Sequence, residues 1–183
     1  MWRLLIMISV LPMAAGLLLR WWFGLRVLQA RGRALVRPEG GRWLEMAGEG
    51  GPEMEASEAG ARLRTAALRE WLANEPRAAK AREGARKFGV AVPPLAMVVA
   101  AMGVIAGRVP VGVALAAVLA AVALATVFGL LSLGAELRAV AALAKRVRDA
   151  RVFRRSDDEE AVIECAAAHA WNEAVPPVLR WLK

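Results

Sequence analysis

The residues best able to do chemistry crowd into one short stretch near the C-terminus. His169, the single histidine, lies one helical turn after Cys165, the single cysteine, and one turn before Glu173; the acidic run Asp157, Asp158, Glu159 and Glu160 precedes them. His169 and Glu173 at i, i+4 could share a metal. A zinc site takes three or four ligands, and with no second imidazole ordinary polar-face pairing explains the spacing. Cys165 and His169 could act as nucleophile and base, but consecutive turns of one helix rarely flank a substrate cleft. A lone Cys is more often a small buried hydrophobe. The acidic run could hold a cation. Behind Ser156, however, it reads as a capping box whose carboxylates suit the positive end of a helix. No Gly-rich phosphate loop follows a strand. On this reading no residue is catalytic, none binds a cofactor and none holds a metal.

The remaining composition says what kind of scaffold must position these groups. Of 183 residues 58% are hydrophobic, above the 45–50% usual for a soluble domain, and Ala alone fills 39 positions. Ser, Thr, Asn and Gln together supply nine residues and Tyr is absent. That is too little polar material for a water-filled catalytic cleft, and one Cys excludes a disulfide framework. The net charge of +8 could suit nucleic acid, but it is not interleaved with stacking aromatics or Gly-rich loops. Basic residues flank uncharged runs instead: Arg20, Arg26, Arg31, Arg33 and Arg37 after the first, Arg82, Arg86 and Lys87 before the second, and Arg138, Lys145, Arg146, Arg148, Arg151, Arg154 and Arg155 after the third. This is charge laid along a lipid surface.

About 20 apolar residues of helix cross a bilayer core. Leu4–Leu19 continues into Trp21, Trp22 and Phe23, an interfacial aromatic cluster beside Arg20. Met1-Trp2-Arg3 and Pro12-Met13-Ala14-Ala15 also fit a cleaved signal peptide, but the apolar run carries past that site and a retained anchor is favoured. Gly89–Gly107 and Val109–Ala135 are uncharged, separated by Arg108, and Gly107-Arg108-Val109-Pro110 is a turn signal, so these two spans form a hairpin. Pro93-Pro94 is expected to kink the second span or mark its start. Ala96, Ala100, Gly103 and Gly107, then Ala116 with Ala120 and Ala117, Ala121 and Ala125, recur at spacing four, which either lets helices approach closely in lipid or reflects Ala-rich composition. Residues 20–88 hold fourteen Lys and Arg and the tail from Glu136 nine, against one in the hairpin turn and one at the N-terminus. The positive-inside rule then sets both arms in the cytoplasm.

The chain is therefore expected to be all-α, an integral membrane protein with three transmembrane helices. Residues 1–23 are the anchor, 24–88 a cytoplasmic linker and helical arm, 89–135 the hairpin and 136–183 a cytoplasmic helical tail. Residues 38–56, rich in Gly and Pro, read as a loop. From Ser57 to Ala73 a helix carries Leu63, Ala67 and Trp71, with Leu68 and Leu72, on one face, until Asn74-Glu75-Pro76 stops it. Arg77–Lys87 is expected to run along headgroups into the second span. The third span extends as a charged helix over Glu136–Arg151. The last helix, Ser156–Val175, should present Ile163, Ala166, Ala167, Ala170, Trp171 and Ala174 on one face and Glu164, His169, Asn172 and Glu173 on the other, before Pro176-Pro177 ends it. It is expected to dock through Ile163, Ala167, Ala170 and Trp171.

This order of parts resembles the membrane-bound neutral zinc metallopeptidases of bacteria, the YugP-like proteins. The similar pieces are Asn74-Glu75-Pro76 with the basic residues leading to Val90-Ala91-Val92-Pro93, then Ala135-Glu136-Leu137-Arg138-Ala139, and above all Asp157 through Trp171. The resemblance implies an N-terminal anchor, a cytoplasmic His-Glu-x-x-His zinc helix, a transmembrane hairpin and a helical tail, in the bacterial cytoplasmic (inner) membrane, where the positive-inside rule sets the N-terminus and the hairpin tip outside. The zinc helix should lie before Pro76, where there is no His. Ser57-Glu58-Ala59-Gly60-Ala61 or Arg62-Leu63-Arg64-Thr65-Ala66 stands in its place, and Glu58 would remain as an orphan of the general-base position. Without imidazoles no bound water is activated, so this copy is expected to be zinc-less and inactive, working by binding. The implied partners are the lipid bilayer, anionic headgroups at the basic flanks, and a membrane protein or second copy, with no nucleic acid. An unrelated membrane scaffold, or a metallopeptidase completed by a partner chain, are the alternatives.

Overall fold

The computed structural model describes residues 2–48 and 53–181. It is all-α: α1 (Trp2–Leu19), a π-helical turn (Arg20–Leu25), α2 (Arg26–Arg31), α3 (Gly40–Ala47), α4 (Ala56–Asn74), α5 (Pro76–Ile105), α6 (Val111–Asp149), α7 (Ser156–Ala174) and α8 (Pro177–Arg180). The only strands among the described residues are the pairs β1 (Leu35–Val36) and β2 (Met54–Glu55), antiparallel with Leu35 opposite Glu55 and Val36 opposite Met54. Three helical stretches, Trp2–Arg31, Pro76–Ile105 and Val111–Asp149, are long and apolar enough to cross a membrane. At 39 residues, α6 extends about 58 Å, nearly twice a hydrocarbon core, so its polar end has room to serve another environment.

The chain divides into two compact units. Unit 1 comprises Met1–Leu19, Ala81–Ser132 and Glu173–Lys183. Its helices meet where side chains are smallest. A Cβ added at Gly16 would overlap the Thr126 methyl, and one at Gly129 would overlap the Ala174 carbonyl. Ala114, Ala116 and Ala125 are buried, whereas Ala117 and Gly107 of the expected small-residue rows face outward. The hairpin turns where expected. Gly107 takes φ +67, a conformation glycine alone adopts without strain, and Arg108 and Val109 both donate backbone bonds to the Gly103 carbonyl. Of the two expectations for Pro93-Pro94, the helix start is corrected, because both lie inside α5 and neither begins it. A long apolar helix tolerates the two missing donors when neighbouring groups satisfy the freed carbonyls.

Unit 2 comprises Arg20–Lys80 and Leu133–Asn172. Its core joins Val36, Trp43, Leu63, Val140, Leu143, Val147, Val152, Phe153, Val162 and Cys165. The loop expected over 38–56 is in fact interrupted by α3, because Trp43 gives those glycines one large ring to bury. Trp43 is 1% exposed and lies edge-on to Phe153, centroids 5.6 Å apart. Gly50, Gly51 and Pro52 of that stretch lie outside the described residues. Helix α4 follows the expected pattern, burying Leu63, Ala67 and Trp71, but Leu72 is exposed and Arg64 is buried.

The two-faced pattern expected for α7 is also corrected. Val162, Cys165, Ala166, Ala168 and Ala170 are all 0% exposed; of the four expected contacts Ala170 is thus buried, while Ile163, Ala167 and Trp171 are half-buried, as are Glu164, His169, Asn172 and Glu173 of the expected polar face. The helix buries residues around more than one face. Alanine allows this, since its single methyl suits a crowded face as well as an open one. Gly60 of α4 lies so close that a Cβ there would meet the Ala166 nitrogen at 2.7 Å.

Candidate functional site

Most titratable residues of the α7 group are paired or buried. His169 Nε2 lies 3.0 Å from the Ser57 carbonyl oxygen and 3.2 Å from Ser57 Oγ. A carbonyl only accepts, so the contact to the Ser57 carbonyl is a hydrogen bond in the tautomer that carries the proton on Nε2. The two contacts tie α7 to the start of α4. Cys165 is fully buried. Burial, helped by the Glu164 carboxylate and opposed by Arg31, pushes its thiol up from 9.0 to about 11, which suppresses the thiolate needed for attack.

The carboxylates around them are likewise engaged. Glu164 and Glu160 take Arg31 at 3.1 and 3.5 Å. Glu159 was expected to reach back in a capping box, but its Oε1 accepts from Arg148 Nε at 2.8 Å. Asp157, Asp158 and Glu159 do occupy the first turn of α7, where the helix dipole favours them. Glu58, the orphan general-base position, pairs with Arg62 one turn along α4 at 2.6 Å. Among the described residues no group of three His, Cys, Asp or Glu side chains is placed to hold one ion.

The strongest electrostatic feature was not foreseen. Arg64 of α4 donates through Nε to Glu136 Oε1 of α6 at 2.6 Å, with side chains 9% and 1% exposed. A buried pair of this kind tolerates loss of neither partner, because the survivor is left charged and dry. The two residues are 72 positions apart in the chain, and only the fold brings them together. Alongside, α4 and α6 leave an open groove of about 300 Å³, lined by Ala67, Trp71, Asn74 and Glu75 on one side and Ala135, Arg138, Ala139 and Ala142 on the other. Glu70 and Arg146 form an ion pair at its rim.

The basic flanks divide into buried and exposed members. Arg82, expected at the headgroups, is 6% exposed and donates to the Gly129 carbonyl and Ser132 Oγ, each at 2.9 Å. Arg20 is also buried and donates to Asn172 Oδ1 at 2.8 Å. Trp21, Trp22 and Phe23 are each about half exposed, which agrees with the expected aromatic cluster. Phe23 stacks on Trp171 at 5.0 Å, and Arg26 sits over the Trp22 ring at 4.7 Å. An uneven Arg distribution in the sequence could not separate these roles; the side that each residue presents to its neighbours does. Neither a protein-family model, nor a curated protein, nor a solved structure matches the chain.

Proposed function

We propose that the protein is a membrane-spanning binding protein, a zinc-less relative of the membrane zinc metallopeptidases that holds a membrane partner or paralogue without hydrolysing it. The observation that supports this reading is the Arg64–Glu136 pair. Arg62-Leu63-Arg64-Thr65-Ala66 is one of the two stretches, with Ser57-Glu58-Ala59-Gly60-Ala61, that stand where the resemblance sets a zinc helix. The buried carboxylate facing that stretch already has a permanent cation, the Arg64 guanidinium at 2.6 Å. A guanidinium neutralises the carboxylate but has no open coordination position and does not lower the pKa of a water as a metal does. The α4–α6 groove beside the pair offers a surface for binding.

Zinc content and peptidase activity of the purified protein test this. The expected result is no stoichiometric zinc and no hydrolysis of an unstructured protein substrate. About one zinc per chain, lost in His169→Ala or Glu136→Ala, would overturn the proposal. The membrane is read as the bacterial inner membrane, with both basic arms cytoplasmic by the positive-inside rule. Reporter fusions after Lys87 and at Lys183 should then report the cytoplasm, and one at Arg108 the outside. A cytoplasmic signal from Arg108 would reverse the orientation.

A further inference from the structure

The segment Arg20–Leu25 winds as a π-helix, a rare geometry that in proteins concentrates at functional sites. Its inward side is committed. Arg20 binds Asn172, Phe23 stacks on Trp171, and a Cβ at Gly24 would lie 3.3 Å from the Ala168 carbonyl oxygen. Its outward side presents Trp21 and Trp22, 50% and 49% exposed, with rings 5.9 Å apart and tilted 56°. Arg26, exposed, lies over Trp22 and has no carboxylate partner among the described residues. That separates it from Arg31, Arg37, Arg62, Arg146 and Arg148, each of which is neutralised by a glutamate.

An unneutralised guanidinium on an aromatic face, directly after an apolar run of spanning length, matches one chemistry. Indole rings settle at the headgroup level, and a planar guanidinium accepts a phosphate diester while remaining stacked. The geometry points to Trp21, Trp22 and Arg26 as a binding site for the headgroup of an anionic phospholipid, oriented by the π-turn. The grip on α7 fixes which way the turn faces, so the two indoles and the cation reach the lipid as one preformed unit. The inference rests on the membrane reading above and gives one basic flank a specific site rather than a diffuse charge.

The test uses the full chain in phosphatidylcholine vesicles, with and without phosphatidylglycerol. Association of spin-labelled phosphatidylglycerol relative to spin-labelled phosphatidylcholine is read by electron paramagnetic resonance. One cation near the surface corresponds to about a fivefold preference for the anionic lipid. Wild type should show that preference, Arg26→Ala should lose it, and Trp22→Leu, which keeps the charge, should weaken it. Arg33→Ala, an exposed cation outside the aromatic cluster, should leave it intact. Arg26→Lys is the second variant at the site and should be intermediate, because the charge survives without the planar stack. A preference unchanged in Arg26→Ala, or lost equally in Arg33→Ala, overturns the site while the protein remains in vesicles. Failure of the wild-type protein to float with vesicles of either composition overturns the membrane reading itself.

Discussion

The two units of this chain are built from similar residues by opposite rules. Unit 1 turns its large apolar side chains outward. Leu4, Leu11, Leu95, Val99, Met102, Ile105 and Leu131 are all more than half exposed, and its helices touch through Gly16, Gly129 and alanines. Unit 2 buries Trp43, Leu63, Val147, Val152 and Val162 and covers its outside with ion pairs such as Arg31–Glu164, Arg62–Glu58 and Arg148–Glu159. In water the large side chain is the one worth hiding, since burial stabilises by about 25 cal/mol per Å² of apolar surface. Lipid removes that incentive, and close packing through small residues replaces it. The contrast separates a unit whose large apolar side chains face outward from one that buries them, which overall composition does not show.

The largest expected effect sharpens this contrast in unit 2. Glu136→Ala should destabilise by about 3–5 kcal/mol, because it strands the Arg64 guanidinium in a dry site. The double change Arg64→Met with Glu136→Leu should recover most of that loss. Both are read by denaturant unfolding in detergent, followed by circular dichroism. Equal destabilisation by the single and double changes would mean that the pair does more than neutralise itself.

Glycine substitutions on one helix probe the same boundary. Gly129→Ala should cost about 1–3 kcal/mol, since the new methyl meets the Ala174 backbone, which has no flexible side chain to yield. Gly134, five residues along α6, has nothing within 4 Å of an added Cβ. There Gly134→Ala should be neutral or stabilising by up to about 1 kcal/mol through helix propensity. Midpoints of thermal unfolding separate the two.

The thiol gives a pH-dependent version. The folded state holds the Cys165 proton more tightly than the unfolded chain, with a pKa of about 11 against 9.0. Its contribution is therefore fully present below pH 9 and lost as pH rises through 11. Wild type should lose stability across that window more steeply than Cys165→Ala, and native protein should resist alkylation at pH 8. Rapid labelling at pH 8 would show that unit 2 opens around α7. The smallest effect belongs to the surface. Arg31→Ala removes pairs to Glu160 and Glu164 whose side chains are 60% and 37% exposed, and should cost no more than about 1 kcal/mol.

The number of helices long and apolar enough to span a membrane, the hairpin and its turn, and the limits of α4 were readable from residue order alone, because each rests on a local rule. A run of about 20 uncharged residues has one stable form in lipid, and Gly107 before Arg108-Val109-Pro110, or Pro76 after Asn74-Glu75, interrupts a helix whatever lies nearby. The absence of a second imidazole was equally plain. The partners of the charged residues were not, since Arg20, Arg64 and Arg82 look like their exposed neighbours in sequence. Each is buried against a group far along the chain: Asn172, Glu136 and Gly129. Alanine hid the surroundings of α7 for the same reason, as its methyl commits a face neither to core nor to solvent. Trp43 turned an apparent linker into a helix only because Phe153 was there to meet it. Periodicity records what a residue does for its own helix, whereas burial of a charge or a ring is decided by the helix it meets, and only folding selects that helix.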